Sequence, residues 1–429
     1  MRTYFLRRLL LIPPTLLGIT MLVFAVMRLA PGGPVEQGLA RLLGGEGKRA
    51  RAEAGFSLTP SQVLELEEKY DRHKSLPRAY AEWLGVLPRD VEKAGKEFPT
   101  GEKEVEIEVP GTVHVVKVRR DDAGHAELVA PEGADLGEWR VRLRTPEEGA
   151  ARWAKWLKGV ETKKPPGYRA VIFKPRLDGL LQGSLGNSSK YQDPVGAMIL
   201  QRMPVSLYFG LVSLVIIYGV CLPLGVLKAI KHRTWLDNAS SAAVFAGYAV
   251  PGYALGSLLV VFLGARLGWF PLRGFTGDDF DTLSTAGKVK DLVRHTAMPM
   301  LCYLVGGFAF MTLMMKNSLM DNLAADYVRT AVAKGVSFPS AVFKHAFRNS
   351  LIPLASTFGD NVTIFVGGSM LIERVFDING FGLLQFNAIL ERDEPLMMGV
   401  LFISAVLMLV GNVISDLCVA MVDPRVSFK

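Results

Sequence analysis

The residues able to assemble a metal centre or a nucleophilic site are few in this chain of 429 residues, and their spacing assigns them no chemistry. Six histidines, His73, His114, His125, His232, His295 and His345, are dispersed, and no HExxH or GxSxG pattern occurs. Cys221, Cys302 and Cys418 fall in three separate apolar stretches, where a thiol behaves as a small hydrophobe. No zinc-type spacing links them, and they say nothing about redox compartment. Gly44-Gly-Glu-Gly-Lys-Arg49 resembles a phosphate-binding loop only superficially. Its first glycine is wrongly spaced from the Gly-Lys pair, and Arg49 stands where a Ser or Thr is required. The chain is therefore expected to have no catalytic residue, no metal and no cofactor, so any work it does is driven from outside.

Polar groups inside apolar stretches are the remaining candidates. Asp360 and Asn361 interrupt one such stretch, and Asn412 and Asp416 share one helical face of another at i, i+4 spacing. A carboxylate in hydrocarbon is costly unless paired or wetted. Asp360 is thus expected to face a bundle interior, a partner subunit or a water-filled path, although a structural hydrogen bond to a neighbouring helix would use the same residue.

The elements that must position these groups are membrane-length. Half of the residues are hydrophobic and mean hydropathy is +0.26, yet 21% are charged; the two coexist because they are segregated along the chain. Charge-free runs cover 9–27, 205–227, 238–265, 296–315 and 396–415, and 349–372 is broken only by Asp360. Each can cross a hydrocarbon core, which needs about 20 helical residues, so six spans are expected. Lysine and arginine at the span ends set the orientation. Arg2, Arg7 and Arg8, then Lys228, Lys231 and Arg233, then Lys316, Arg329, Lys334, Lys344 and Arg348 mark cytoplasmic segments. Glu373, Asp377, Glu391, Asp393 and Glu394 against Arg374 and Arg392 mark an outer loop, so both termini are expected inside. The first run could be a cleaved signal peptide, but it is long and no small-x-small cleavage site follows, which favours a retained span. The net charge of +8 and pI near 9.3 arise at membrane edges, where anionic lipid headgroups explain them better than nucleic acid does.

Between two of these spans lies Asp326-Tyr-Val-Arg-Thr-Ala-Val-Ala-Lys-Gly335-Val-Ser-Phe-Pro-Ser-Ala-Val-Phe-Lys-His345-Ala-Phe-Arg-Asn-Ser-Leu-Ile-Pro353. The first half is made of helix formers and ends at Lys334 and Gly335, the latter placed where a C-terminal cap needs positive φ. Ser337 and Pro339 then suit the start of a second short helix carrying Phe338, Val342, Phe343, Ala346 and Phe347. Two short helices joined by a glycine make a docking knob.

Over these 28 residues the chain resembles the inner-membrane permease subunits of bacterial ABC importers, in the oligopeptide/dipeptide branch. Arg7-Arg-Leu-Leu near the start and Ala30-Pro-Gly-Gly-Pro34 after the first span extend the resemblance. It implies that the loop 316–349 is a cytoplasmic coupling element seated on an ATP-binding subunit, with Asp326, Tyr327, Arg329, Thr330, Ala331, Lys334, Gly335 and His345 as candidate contacts. The wider superfamily has an acidic residue and two alanines where this chain has Arg329, Thr330 and Ala331, a departure usual in the peptide branch. Glu373-Arg-Val-Phe-Asp-Ile-Asn-Gly-Phe-Gly382 matches the same branch, and the resemblance implies a segment dipping toward the pathway mouth. Phe376, Gly380 and Gly382 are gate candidates there, beside Asp360 and Asn361 as pathway candidates; simple loop packing would use the same residues. Pro251-Gly252 and Gly306-Gly307 offer close packing or a hinge.

Residues 31–204 are too long for a linker and too charged for a membrane. Thr59, Pro60 and Gln62 read as a helix start, and a second helix is expected over 76–87. Val105, Ile107 and Val109 alternate with Glu104, Glu106 and Glu108. After Pro110-Gly111 come Val113, Val115 and Val118, and then Trp139, Val141 and Leu143 alternate with Arg140, Arg142 and Arg144. This pattern predicts a small antiparallel β-meander over about 105–145. The family resemblance covers the flanks, 58–87 and 181–195, but not the meander, which therefore looks inserted. The enlarged outer segment, with the tail Pro424-Arg-Val-Ser-Phe428, most resembles the branch importing microcin C-type peptides. Docking for a binding protein and simple decoration are both open roles for it.

The expected architecture is an all-α polytopic membrane protein of six helices with an inserted α+β periplasmic domain. Residues 1–30 form the first helix, 31–204 the periplasmic domain and 205–429 the permease core. The resemblance implies a second related permease subunit, two ATP-binding subunits and a periplasmic or lipid-anchored peptide-binding protein as partners, in a bacterial inner membrane. A stand-alone secondary transporter or channel, the other class, would need charged partners at mid-membrane and an inverted repeat; one clear carboxylate and no obvious repeat are present. A membrane-anchored enzyme would need convergent polar groups in the outer segment. The topology is checked by a Gly335→Cys variant, expected to react with a membrane-impermeant thiol reagent only from the inner face; reaction from outside would overturn the orientation.

Overall fold

The computed structural model describes residues 2–44, 59–112, 114–121, 124–129, 137–157, 165–361 and 368–423. Val113, most of the phosphate-loop lookalike and the 424–428 tail lie outside the described residues. Two compact units are present: a helical one (1–20, 195–391, 397–429) and an α+β one (21–194, 392–396). The first helix, α1 (Arg2–Leu29), contributes to both.

In the α+β unit, α2 (Pro34–Gly44), α3 (Pro60–Lys69) and α4 (Leu76–Leu84) precede the first strand. At the start of α3, Thr59 N–H donates to Gln62 Oε1 at 3.0 Å, the expected reciprocal half of a capping box. The helix expected over 76–87 stops at Leu84, because Gly85 takes a left-handed φ of +87° and ends it. Strands β1 (Arg89–Glu97), β2 (Glu104–Glu108), β3 (Val115–Arg120), β4 (Ala126–Val129) and β5 (Arg140–Arg144) follow, then α5 (Pro146–Trp156) and β6 (Arg169–Arg176). The alternation of β2 is realised: Val105 and Ile107 are buried, pairing with Val118 and Val116 of β3, while the glutamates point to water.

The single meander expected over 105–145 is instead split. β2, β3 and β4 form one antiparallel sheet, but β5 leaves it and joins a second sheet of order β1-β6-β5. The physical reason is β6, whose Ala170, Val171 and Ile172 are all buried and form a central strand with partners on both edges. β1 carries mixed polar residues with no alternation, which hid it. Both sheets feed one core of Phe98, Val105, Ile107, Val109, Val116, Val118, Ala170 and Ile172.

A charge network lies on the α3–α4 connection. Lys74 Nζ is 3.1 Å from Asp71, 2.6 Å from Glu82 and 3.4 Å from Asp90, and Lys93 Nζ is 3.0 Å from Asp71. Ligand atoms of Asp71, His73 and Asp90 lie within 4.8 Å of one another, but a metal would have to displace ammonium groups already paired with those carboxylates. His73 sits among them with neither ring nitrogen hydrogen-bonded among the described residues. Burial, with the cations Arg144, Lys74 and Lys93, pushes its pKa down to about 3 against the pull of Asp71.

The helical unit holds the long helices. Among the described residues four are long and apolar enough to cross a membrane: Tyr4–Ala40, Val195–Ile230 (α6), Thr285–Ala324 (α9) and Glu394–Val422. There are five if the bent pair Trp235–Ala249 (α7) and Gly252–Arg266 (α8) is one span. The bend of 90° falls at Pro251: Val250 before it is extended at φ −101°, ψ 118°, as a residue preceding proline prefers. The proposed span 349–372 is described as short helices only, with 362–367 outside the described residues. The core gathers Phe209, Ile217, Met311, Met315, Leu319, Leu354 and Phe376, with the Phe209 and Tyr303 rings stacked 5.2 Å apart.

Two outcomes test this packing. Ile172→Ala is expected to destabilise the α+β unit by about 2–5 kcal/mol, seen as a lower melting temperature of the whole protein; unchanged melting would mean the sheets do not share that core. His73 is buried neutral with its pKa below the ordinary 6.5, so the stability that depends on it is complete above about pH 6.5 and declines toward pH 3. His73→Asn should flatten the acid limb of a melting-against-pH profile, whereas an identical limb would show that His73 is not responsible.

Candidate functional site

The candidate knob is built on the end of α9. The chain leaves it through extended Ala325 into α10 (Asp326–Ala333), which stops as its sequence predicts. Gly335 adopts φ +90°, its N–H donates to the Val332 carbonyl at 2.9 Å, and Val336 N–H donates to the Ala331 carbonyl at 3.2 Å. These two bonds are the Schellman pattern, which satisfies carbonyls the helix end leaves free. A Cβ at Gly335 would meet nothing within 4 Å, so the glycine is required by its backbone angle and not by crowding. A second helix, α11 (338–350), begins at Ser337 and Pro339; Ser337 stands at the cap position with no side-chain capping bond. Its middle, Ala341–Ala346, is a wider π-turn.

Burial divides the knob into an anchor and a face. Val328, Ala341, Val342 and Ala346 are buried in the core that contains Met315 and Leu319 of α9, and buried Ser350 donates to the Ser318 carbonyl of α9 at 3.3 Å. Tyr327 Oη donates to Asn322 Oδ1 at 2.6 Å and accepts from Asn349 Nδ2 at 3.1 Å, stapling the two short helices to α9. Arg348 Nε donates to the Val422 carbonyl at 3.1 Å. Outward lie Asp326, Arg329, Thr330, Lys334, Lys344 and His345, with Phe338 52% and Phe343 57% exposed and Ala331 half-buried. The face is basic and aromatic.

A second anchor holds α9 beside α7. Asp237 accepts from Lys316 Nζ at 2.7 and 2.8 Å and from Arg233 N–H at 3.1 Å, while Lys228, wholly buried, lies 3.4 Å away and donates to the Ser240 and Ser241 hydroxyls. Lys228 and Lys316, counted above among membrane-edge cations, are therefore occupied inside the protein.

The pathway candidates separate. Asp360 is exposed on the surface of this chain, Asn361 turns inward and donates to Tyr218 Oη at 3.2 Å, and Phe376 is wholly within the core. Glu373, counted above as an acid of an outer loop, is instead completely buried. Its Oε1 accepts from Ser206 Oγ at 2.9 Å and Tyr303 Oη at 3.1 Å, and its Oε2 from Leu383 N–H at 2.7 Å. Ser206 Oγ accepts in turn from Phe381 N–H, and Tyr303 Oη from Ser369 N–H, each at 2.8 Å. A Cβ at Gly368 or Gly380 would come within 2.4 Å of the carboxyl, so both glycines admit it. Burial pushes the carboxyl above its ordinary range, against these bonds, which favour the ionised form. At the other end of the unit, Asp416 pairs with Arg8 and accepts from Tyr4 Oη at 2.9 Å.

Residues 221–428 match the family described as the inner membrane component of binding-protein-dependent transport systems. The inner membrane ABC transporter permease protein YejB of Escherichia coli O157:H7 is 33% identical over 432 residues, covering all of both chains. The chain belongs to this family. The peptidoglycan transport system permease protein YejB of Agrobacterium fabrum is 30% identical across 100% of this chain and 99% of its own. The oligopeptide transport system permease protein AppB of Bacillus subtilis is 35% identical over 253 residues, 59% of this chain and 78% of its own. The chain is thus a multi-pass inner-membrane permease subunit of an ABC import system, and such subunits are non-catalytic at the level of the family.

In the permease, the knob was legible because its capping chemistry is local. Glu373 and Asp237 were not, since their partners Ser206 and Lys316 lie 167 and 79 residues away. The available signal was a cluster of glycines, Gly368, Gly380 and Gly382, flanking Glu373 in the sequence. Glu373→Ala leaves two hydroxyls and an amide without an acceptor, at about 1–3 kcal/mol each; the expected outcome is a marked fall in melting temperature and yield. Glu373→Gln, which keeps an acceptor oxygen, should lose less, and equal loss in the two variants would show that the hydrogen bonds are not what matters.

Proposed function

We propose that the permease imports peptides or peptide-like compounds, forming half of the translocation pathway with a second related permease. Two ATP-binding subunits drive it and a periplasmic or lipid-anchored binding protein delivers its cargo. The reading takes six spans, an inserted periplasmic domain and both termini in the cytoplasm. The observation that carries it is the knob: a glycine-capped helix pair, anchored by Val328, Val342 and Ala346, that presents a basic, aromatic face beyond the end of a 40-residue helix. Such an anchor transmits a push on the face to α9 as displacement of the bundle, a population shift driven by a partner's differential contacts.

Further observations support the parts. Arg8, Asp416 and the Arg348–Val422 contact gather the amino-terminal end of α1, the knob and the last helix at one end of the helical unit, in keeping with termini on the coupling side. Two relatives are named for oligopeptide and peptidoglycan transport, which favours peptide-bearing cargo. Full-length likeness to the two long relatives, against 59% coverage by the Bacillus protein, favours the branch with the enlarged outer segment, associated above with microcin C-type peptides. Asp360, exposed on this chain, is assigned to the face toward the partner permease or the path. Phe376 acts from within the core by holding the outer segment in place.

Gly335 provides the test. Gly335→Val forces a β-branched residue into the left-handed region, at a cost of about 1–2 kcal/mol, with no clash to obscure the result. ATP-driven peptide uptake by the complete assembly should fall sharply while the protein remains in the membrane, and Gly335→Asn, which tolerates that region, should retain most of it. Uptake by the valine variant at the unaltered rate would sink the coupling reading.

A further inference from the structure

In the helical unit a cavity of about 380 Å³ opens between α6, α7 and α9. Each helix gives it one stripe: Val220 and Leu224 from α6, Val244 and Gly247 from α7, Leu301 and Ala309 from α9. The stripes lie inside the apolar runs 205–227, 238–265 and 296–315, which on the proposed topology places the cavity at hydrocarbon depth. The polar residue in its lining, Ser240, is already engaged: its hydroxyl donates to the Leu236 carbonyl at 2.6 Å and accepts from Lys228 Nζ at 2.8 Å. A peptide backbone would find few hydrogen-bond partners there, which disfavours cargo as the occupant.

Its dimensions narrow the choice. From Leu301 to Ala309 the cavity runs about 12 Å along α9, which leaves a cross-section of about 30 Å², whereas a helix about 10 Å across needs about 80 Å². A single hydrocarbon chain fits where a partner's helix does not. Beyond the Ser240 end stands the loop 231–235. Lys231 and Arg233 are exposed there with no ion pair among the described residues, and Trp235 is 83% exposed. Arg233 adopts a left-handed φ of +62° while its N–H donates to Asp237 Oδ2 at 3.1 Å, so the loop is held in one shape by the buried clasp. Cations and a tryptophan at this level are residues that settle among headgroups. Ser240 lies about 8 Å along α7 from Trp235. A headgroup layer is about 5–8 Å deep over a hydrocarbon leaflet of about 15 Å. A lipid held at the loop would therefore lay its chain along the cavity and end near the bilayer midplane.

We propose that the cavity holds one acyl chain of an anionic phospholipid whose phosphate is bound by Lys231 and Arg233, with Trp235 beside its glycerol. That the lipid belongs to the cytoplasmic leaflet rests on the orientation proposed above. The lipid then fills the space between α7 and α9 on the bilayer side of the Asp237 clasp.

The test is native mass spectrometry of the full-length protein, delipidated in detergent and titrated with dioleoyl phosphatidylglycerol or dioleoyl phosphatidylcholine. One phosphatidylglycerol should bind at least about tenfold more tightly than the choline lipid. Replacing both cations, Lys231→Gln with Arg233→Gln, should abolish that preference. Gly247→Leu should weaken both lipids by filling the cavity; a Cβ at Gly247 meets Val305 Cγ1 at an ordinary 3.6 Å, so the helix tolerates it. Equal affinity of the unaltered protein for the two lipids overturns the proposal, and so does undiminished binding by Gly247→Leu. Intact lipid binding in that variant with poorer recovery of a second permease would make the groove a subunit interface instead. If Gly247→Leu fails to accumulate, the headgroup comparison and the double glutamine variant decide. Lipid binding needs neither partners nor ATP. Peptide uptake by the complete assembly without the headgroup preference therefore refutes the lipid site alone, and the preference without uptake refutes only the transport reading.

Discussion

A single carboxyl group withdrawn from water organises the helical unit. Glu373 has one acceptor oxygen committed to hydroxyls on two long helices, Ser206 of α6 and Tyr303 of α9, and the other to the backbone of Leu383. Buried acceptors of this kind are costly when short of donors and rigid when supplied, so the loop that carries Glu373 has little freedom to slide. The glycines that surround it follow from the same constraint, since any side chain at Gly368 or Gly380 would occupy the space the carboxyl fills.

α9 relates that hub to the knob. It is one continuous helix of 40 residues carrying Tyr303 in the hub, Lys316 in the clasp with Asp237, and Asn322 under the knob. At the helical rise of 1.5 Å per residue, hub and knob are about 28 Å apart along it. Three polar attachments on one rod, with Met311, Met315 and Leu319 packed between them, give the knob a stiff connection to the segment that follows the proposed fifth span. Motion imposed at one attachment has few soft places in which to dissipate.

What the sequence disclosed follows the range of the interactions. The stop at Gly335 and the alternation of β2 rest on contacts within a few residues, and both were readable from type and spacing. The strand at 140–144 was recognisable, but its partner was not, because β6 lies some 30 residues on and β1 has no periodicity. Glu373 was misjudged and Asp237 passed over for one reason: a carboxylate reads as a surface group until the fold delivers donors to it. Glu373 and Asp237 both receive theirs from helices distant in sequence, and Lys228, which looked like a headgroup-facing cation, is wholly buried for the same reason. Phe376 was a gate candidate because its segment matches the peptide-permease pattern; its ring lies in the core with Phe209 and Met311, a placement that comes from contacts distant in sequence.

The two phenylalanines on the outer side of the knob have a bearing on how the subunit is made. Phe338 and Phe343 stand more than half uncovered, although the Phe347 ring lies beside Phe343 with centroids 6.2 Å apart. On the proposed topology, a newly inserted copy would display these rings to the aqueous phase until an ATP-binding companion arrives. Orphan copies would be prone to clump or to attract proteolysis, and synthesis in step with the motor proteins would spare the cell that waste.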